Sequence, residues 1–276
     1  MAVTIKEMLK EAAVRLAYCA ERPRLEAEIL MSHCLDRDRV WLMTHDNDEM
    51  ESPDRYMEMI QRRVQHEPVE YITGKVGFYG KEFGVTEGVL IPRPETEILV
   101  EKAASLIESR AFSRVAEIGT GSGVISIVLA DIFPHLEIEA SDISRKAIEC
   151  AEKNAERHGV ANRIRFHETH LLDGIVEDID MIVSNPPYIA AGTLLSPNVA
   201  LYEPEEALFA AGDGTEILKA VIDTAMRRDV AAVACEMGYD QKEAMEIYFE
   251  SVGIGEYEFY KDLSGLYRGF VIEELP

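Results

Sequence analysis

From Thr96 onward, short apolar runs alternate with helix-periodic segments, and this alternation restricts the fold of the 276-residue chain more than any other feature. Strands joined by helical crossovers run parallel, because the helix carries the chain back to the starting edge of the sheet. The runs Arg114–Ile118, Ile138–Ala140, Ile164–His167, Ile179–Ser184, Val230–Glu236, Tyr257–Tyr260 and Tyr267–Glu273 read as strands. Val124–Ile132, Arg145–Arg157, Ile217–Arg227 and Gln241–Phe249 read as helices between them. No helix fits in Lys261–Leu266, so the last two strands should pair antiparallel. The expectation is an α/β fold with a mostly parallel seven-stranded sheet and an antiparallel last strand.

The front of the chain differs. Residues 1–70 read as a small helical bundle. Thr4 with Glu7 fits a capping box, and Ile5, Met8, Leu9, Ala12, Leu16 and Cys19 follow the helical period. Pro23 opens a second helix, and Ser52-Pro53 reads as an N-cap followed by proline at the first helical position. Trp41 reads as bundle core or inter-domain packing. Residues 71–92 mix glycines with Phe78, Tyr79 and Phe83, which suggests a β-hairpin linker. A catalytic domain over residues 93–276 follows.

The formal net charge is −23, from 51 acidic and 28 basic side chains. Such a chain is repelled by phosphate backbones, and no cluster of Lys and Arg offsets this, so no direct nucleic-acid partner is expected. Cys19, Cys34, Cys150 and Cys235 lie far apart, which points to reduced thiols and to no metal site. No signal peptide or membrane span is readable, so a cytoplasmic protein is expected.

Three segments carry chemistry. Asn185-Pro186-Pro187-Tyr188 follows a strand, and its prolines end the ladder and stiffen the loop. Ligands of open α/β sheets bind at the carboxyl ends of strands, so this loop presents an amide and an aromatic ring to one. An amide both donates and accepts, which suits it to grip a planar amide or amine. Glu117-Ile118-Gly119-Thr120-Gly121-Ser122-Gly123 follows the first parallel strand and opens a helix. Its G-x-G-x-G spacing lets backbone approach a ligand, yet it is not the dinucleotide fingerprint. Glu117 would repel a pyrophosphate and could orient a cation. Asp142, followed by Ile143, ends the second strand, roughly 20 residues beyond the glycines, where an acid reaches a ribose diol. Helix capping is the competing role, for which Ser144 is better placed.

Together these segments describe a nucleoside-type methyl donor facing an acceptor nitrogen. The chain here resembles the Rossmann-like class I S-adenosylmethionine-dependent methyltransferases, in which N-P-P-Y marks enzymes that methylate planar nitrogens. More closely it resembles the HemK/PrmC family of protein-(glutamine-N5) methyltransferases. That resemblance rests on Phe78–Phe83, Leu90–Glu97 with its R-P-E-T-E run, Gly119–Gly123, Asp142, Asn185–Tyr188, Tyr202–Pro204 with Ala207 and Leu208, Glu236–Gly238 with Gln241, and Asp262–Gly265 with Arg268. It implies S-adenosyl-L-methionine as cofactor and peptide-chain release factors as protein substrates, methylated at the glutamine of a Gly-Gly-Gln motif. It also implies that the front domain docks the factor, and that Arg93, Glu95 and Thr96 join Asn185, Pro186, Pro187 and Tyr188 around the substrate. The alternative for Arg93, Glu95 and Glu97 is helix capping. One departure is His170, before Leu171, which stands where relatives place an acid near the adenine. A neutral imidazole nitrogen can accept the same hydrogen bond, and a plain loop histidine is the other reading.

By the resemblance, the Asn185 side-chain oxygen and the Pro186 carbonyl accept from the acceptor's NH2 group while Tyr188 packs on the amide plane. Two alternatives stay open at this stage. A nucleic-acid amino-methyltransferase acting on adenine N6 or guanine N2 would share the loop but not explain the charge or residues 93–97. A non-catalytic nucleotide-binding regulator would not need an intact Asn185–Tyr188 loop.

Overall fold

The computed structural model describes residues 3–276, which form two compact units. One unit takes the chain up to Lys75 together with Leu195–Tyr202; the other takes Val76–Leu194 and Glu203–Pro276.

The first unit contains α1 (Ile5–Leu16), α2 (Pro23–Leu35), α3 (Arg39–Thr44), α4 (Pro53–Val64) and α5 (Val69–Thr73). The expected capping box is present at Thr4 and Glu7, and Ile5, Met8, Leu9, Ala12 and Leu16 are all buried. Ser52 precedes Pro53 at the start of α4 but makes no side-chain cap. A part-buried ion pair ties α4 to α2, with Arg63 Nε 2.6 Å from Glu26 Oε2. Trp41 is only half-buried, stacked on His45 with ring centroids 4.1 Å apart. Leu195–Tyr202, containing the short helix α9 (Pro197–Ala200), belongs to this unit, and Tyr202 Oη donates to the Gln65 carbonyl at 2.9 Å.

The second unit opens with a hairpin of β1 (Lys75–Phe78), whose first residue still counts with the first unit, and β2 (Lys81–Gly84). Tyr79 and Gly80 turn between them with φ of 50° and 70°, the geometry whose twist suits a two-residue hairpin. Then follow α6 (Thr96–Arg110), β3 (Arg114–Ile118), α7 (Val124–Ile132), β4 (Glu137–Asp142), α8 (Arg145–Arg157), β5 (Ile164–Glu168) and β6 (Met181–Ser184). After the short pieces β7 (Ile189–Ala190), α10 (Glu205–Leu208) and β8 (Phe209–Ala210) come α11 (Glu216–Arg227), β9 (Ala232–Glu236), α12 (Lys242–Ser251), β10 (Tyr257–Lys261) and β11 (Tyr267–Ile272).

The seven-stranded sheet runs β10-β11-β9-β6-β3-β4-β5. β3, β4, β5, β6 and β9 are parallel, while β11 pairs antiparallel with both β9 and β10. The strands on either side of β3 are buried nearly throughout, as expected when helices cover both faces. From β3 the chain winds outward through β4 and β5, then returns to the opposite side as β6. That reversal opens a crevice at the carboxyl edge beside β3. Ile118 lies level with Ser141 on β4 and with Ser184 on β6. The segments following these three residues therefore leave the sheet side by side.

Candidate active site

Those three exits build the site. At the end of β3, Gly119, Gly121 and Gly123 take φ of 75°, 56° and 82°. The turn needs this left-handed backbone, and at Gly123 a Cβ would also lie 3.0 Å from that of Ala151 on α8. Most amides of the turn already have protein acceptors. Gly119 and Thr120 N–H donate to the Ser141 carbonyl at 2.8 and 3.0 Å, Gly121 N–H to Asp142 Oδ2 at 2.9 Å, and Gly123 N–H to the Thr120 carbonyl at 2.8 Å. The turn is therefore built as a rigid floor and not as a cradle of free N–H groups for a phosphate.

Asp142 holds the same corner from β4. Its second oxygen accepts from Ser144 N–H at 2.9 Å, and Ser144 itself caps α8. Burial pushes the Asp142 carboxyl above the usual range against the pull of these backbone donors, and the charge of Glu206 adds to the rise. Thr169 N–H donates to the Asp142 carbonyl at 2.9 Å, which draws the loop after β5, with His170 and Leu171, up to the same corner.

The loop after β6 is pinned along its length. Ser184 Oγ donates to the Ile118 carbonyl at 2.7 Å, and Gln241 Nε2 donates to the Tyr188 carbonyl at 2.9 Å. Asn185 Nδ2 donates to Thr96 Oγ1 at 3.0 Å, and Thr96 Oγ1 donates to Glu236 Oε2 at 2.8 Å. Tyr188 Oη donates to the other oxygen, Glu236 Oε1, at 3.0 Å. Glu236 is 2 % exposed, and burial pushes its carboxyl up to about 7 although the Arg268 charge favours the ionised form. Burial, with Glu236 alongside, also raises the Tyr188 phenol, so it stays protonated and donates.

A cleft opens over these corners. Of the expected cofactor residues, Gly119, Gly121, Asp142, Ile143, His170, Leu171 and Asn185 line it, as do Pro186 and Pro187. Ile143 is 56 % exposed, an apolar plate left without a core partner. Glu117, Thr120, Ser122 and Gly123 do not line it. Glu117 turns toward α7, where Oε2 accepts from Thr120 Oγ1 at 2.8 Å and from the N–H and hydroxyl of Ser126. Burial pushes that carboxyl up to about 7.

Tyr188 also lies off the wall. Its hydroxyl is held by the buried Glu236. Arg93 is held by Glu203, with Nη2 2.6 Å from Oε1, and Ile91 N–H donates to the same carboxylate at 3.2 Å. Glu95 occupies the N-cap position of α6 without capping it, and Glu97 accepts from Tyr79 N–H at 2.7 Å across the hairpin turn. Thr96 joins the site only through Asn185. Gly88, Val89, Leu90, Pro204, Glu206, Ala207 and Ile217 also line the cleft. Sequence reasoning did not place them there, although Leu90, Pro204 and Ala207 stand within segments that carried the family resemblance.

The lining discriminates between ligands. Among the described residues that form it, Asp142 and Glu206 are acids and none is Lys or Arg. Carboxylates, apolar plates and largely engaged turn amides fit a nucleoside with a cationic sulfonium and disfavour a pyrophosphate.

Comparison with known proteins agrees with this chemistry. Residues 7–74 match the PrmC N-terminal domain and residues 94–201 the methyltransferase small domain. A release factor glutamine methyltransferase of Bordetella pertussis is 38 % identical over 251 residues, covering 89 % of this chain and 93 % of that one. The chain belongs to the release factor glutamine methyltransferases. Another member of the family, from Coxiella burnetii, is 34 % identical over 98 % of both chains. Among solved structures, the hMettl16 catalytic domain in complex with MAT2A 3'UTR hairpin 6 superposes with a TM-score of 0.57 at 16 % identity, covering 69 % of this chain and 74 % of that one. The N-terminal domain of human METTL16 in complex with SAH superposes with a TM-score of 0.50 at 17 % identity, covering 66 % and 72 %. At that identity the likeness is one of fold. Among the described residues no helix is long and apolar enough to cross a membrane.

Proposed function

We propose that this member of the family transfers a methyl group from S-adenosyl-L-methionine to the side-chain amide nitrogen of the glutamine in the Gly-Gly-Gln motif of peptide-chain release factors. The observation that carries the reading is the pinned Asn185 at the wall of a cleft lined by Asp142 and Glu206 and without a basic residue. When bound, S-adenosylmethionine supplies a methyl group activated by a sulfonium. Asp142 would hold the ribose diol, Ile143 and Leu171 the faces of the adenine, and His170 its edge.

The acceptor nitrogen is a weak nucleophile because its lone pair is delocalised into the carbonyl. With Asn185 Nδ2 committed to Thr96, the side chain offers its oxygen to the cleft. That oxygen and the Pro186 carbonyl accept the two amide hydrogens, aim the nitrogen lone pair and stabilise the positive charge that develops on it. No base is needed before transfer, since the surplus proton can leave afterward. Arg93, through Glu203, and Tyr188, through Glu236, keep the surrounding loops in place.

Residues 1–70 would dock the factor, residues 71–92 link, and residues 93–276 carry out catalysis. The net charge of −23 suits a basic protein partner over a phosphate backbone, and action on translation factors would put the protein in the cytoplasm. Incubation with S-adenosylmethionine and a release factor, followed by peptide mass spectrometry, should show one added methyl on the glutamine of the Gly-Gly-Gln loop. An unmodified glutamine, with methyl elsewhere or nowhere, overturns the substrate assignment.

A further inference from the structure

Four groups from three separate segments form one hydrogen-bonded chain behind the cleft: Asn185 and Tyr188 from the loop after β6, Thr96 from α6 and Glu236 from β9. The direction of each bond follows from what each group can do. In its ionised form Glu236 only accepts, so it receives a proton from each neighbour. Tyr188 donates its only hydroxyl proton to Oε1. Thr96 donates its only hydroxyl proton to Oε2, which leaves its oxygen lone pairs alone to meet Asn185. An acceptor can be met only by the NH2 end of the Asn185 amide, and the carbonyl end is then turned to the other side.

We propose that Glu236 is a positioning residue for methyl transfer: it sets the direction of the Thr96–Asn185 hydrogen bond and so presents the Asn185 oxygen, instead of its NH2 group, to the acceptor amide. Without a carboxylate at 236 the Thr96 proton is free to go to Asn185, the side-chain amide can turn over, and donor then faces donor in the cleft. The inference rests on the reading that Asn185 accepts from the glutamine NH2.

Glu236→Met removes the acceptor and the buried charge at similar volume. Thr96→Val removes the relay, and Thr96→Ser restores the hydroxyl. In the full-length enzyme, E236M and T96V should each lower kcat about 10²-fold, the scale of loss when a reacting group is misplaced. Affinity for S-adenosylmethionine should hold. Binding of a Gly-Gly-Gln peptide in the presence of S-adenosylhomocysteine, measured by calorimetry, should weaken in both. T96S should recover most of what T96V loses. If E236M does not fold, the T96V and T96S pair decides alone. Wild-type kcat and peptide affinity in T96V overturn the proposal, as does a T96S variant no better than T96V. Asn185→Ala separates the two levels: an active N185A sinks the reading of the clamp itself, whereas an inactive N185A beside an active T96V sinks only the role of Glu236.

Discussion

Asp142 does two jobs with one carboxylate. It fastens the glycine turn through Gly121 N–H and the start of α8 through Ser144 N–H, and it still borders the cleft. Each oxygen keeps a lone pair beyond those backbone donors, enough to accept from a diol. Asp142→Ala should weaken S-adenosylmethionine binding about 10-fold or more, the value of a hydrogen bond to a charged group at roughly 1.5–3 kcal/mol. Calorimetric titration of the folded variant checks this, and unchanged affinity removes the ribose role. Asp142 was legible in the sequence because its signal is local: an acid ending a strand at a set distance from a glycine turn. Asn185 was legible for the same reason, between an apolar run and two prolines. Glu236 was not singled out, because its meaning comes from Thr96, 140 residues away, and from Tyr188, 48 residues away. The hold of Glu236 on the Tyr188 hydroxyl was not legible for the same reason.

At the scale of elements, periodicity found almost every strand and helix of the catalytic unit, and Val124–Ile132 and Arg145–Arg157 match it at both ends. These boundaries carry chemical marks, Gly123 before one helix and Ser144 capping the other. The short pairing of β7 with β8 carries no such mark, since two-residue strands have no period to read. The glycine turn shows how closely its elements are joined. Gly123 combines φ of 82° with a Cβ position 3.0 Å from Ala151 Cβ and 3.1 Å from Ile127 Cδ1. Gly123→Ala must strain the turn or push α8 away from α7, a cost of about 1–3 kcal/mol for a residue held in left-handed backbone. Thermal unfolding should show a lower midpoint, and donor affinity should fall with it because Gly121 and Asp142 share the turn. A midpoint equal to wild type would mean that α8 moves freely, contrary to its packing on α7.

For the whole molecule, the chain order announced two units, but the first unit also takes in Leu195–Tyr202, a segment 120 residues and more beyond its last helix. Such a return is invisible to a reading of local pattern, because nothing in the composition of that segment differs from a surface loop. The charge of −23 was plain from composition, yet composition does not reveal which acids are buried. Glu117 and Glu236 are, and burial lifts both carboxyls from 4.5 up to about 7. Between these values the native protein binds protons that the unfolded chain does not. Stability therefore rises as pH falls from about 8 through 7, and is lost again as pH climbs back. Partial relief of the molecule's negative self-repulsion has the same sign. His33, whose pKa burial lowers from 6.5, has the opposite effect, but only once the pH drops below its unfolded value. The thermal midpoint should accordingly be higher at pH 7 than at pH 8.5. Glu117→Gln should flatten that slope, because a neutral amide in the same place has no proton to take up. A midpoint that rises with pH across this window, or a slope unchanged in Glu117→Gln, would show that these buried carboxyls ionise as freely as exposed ones.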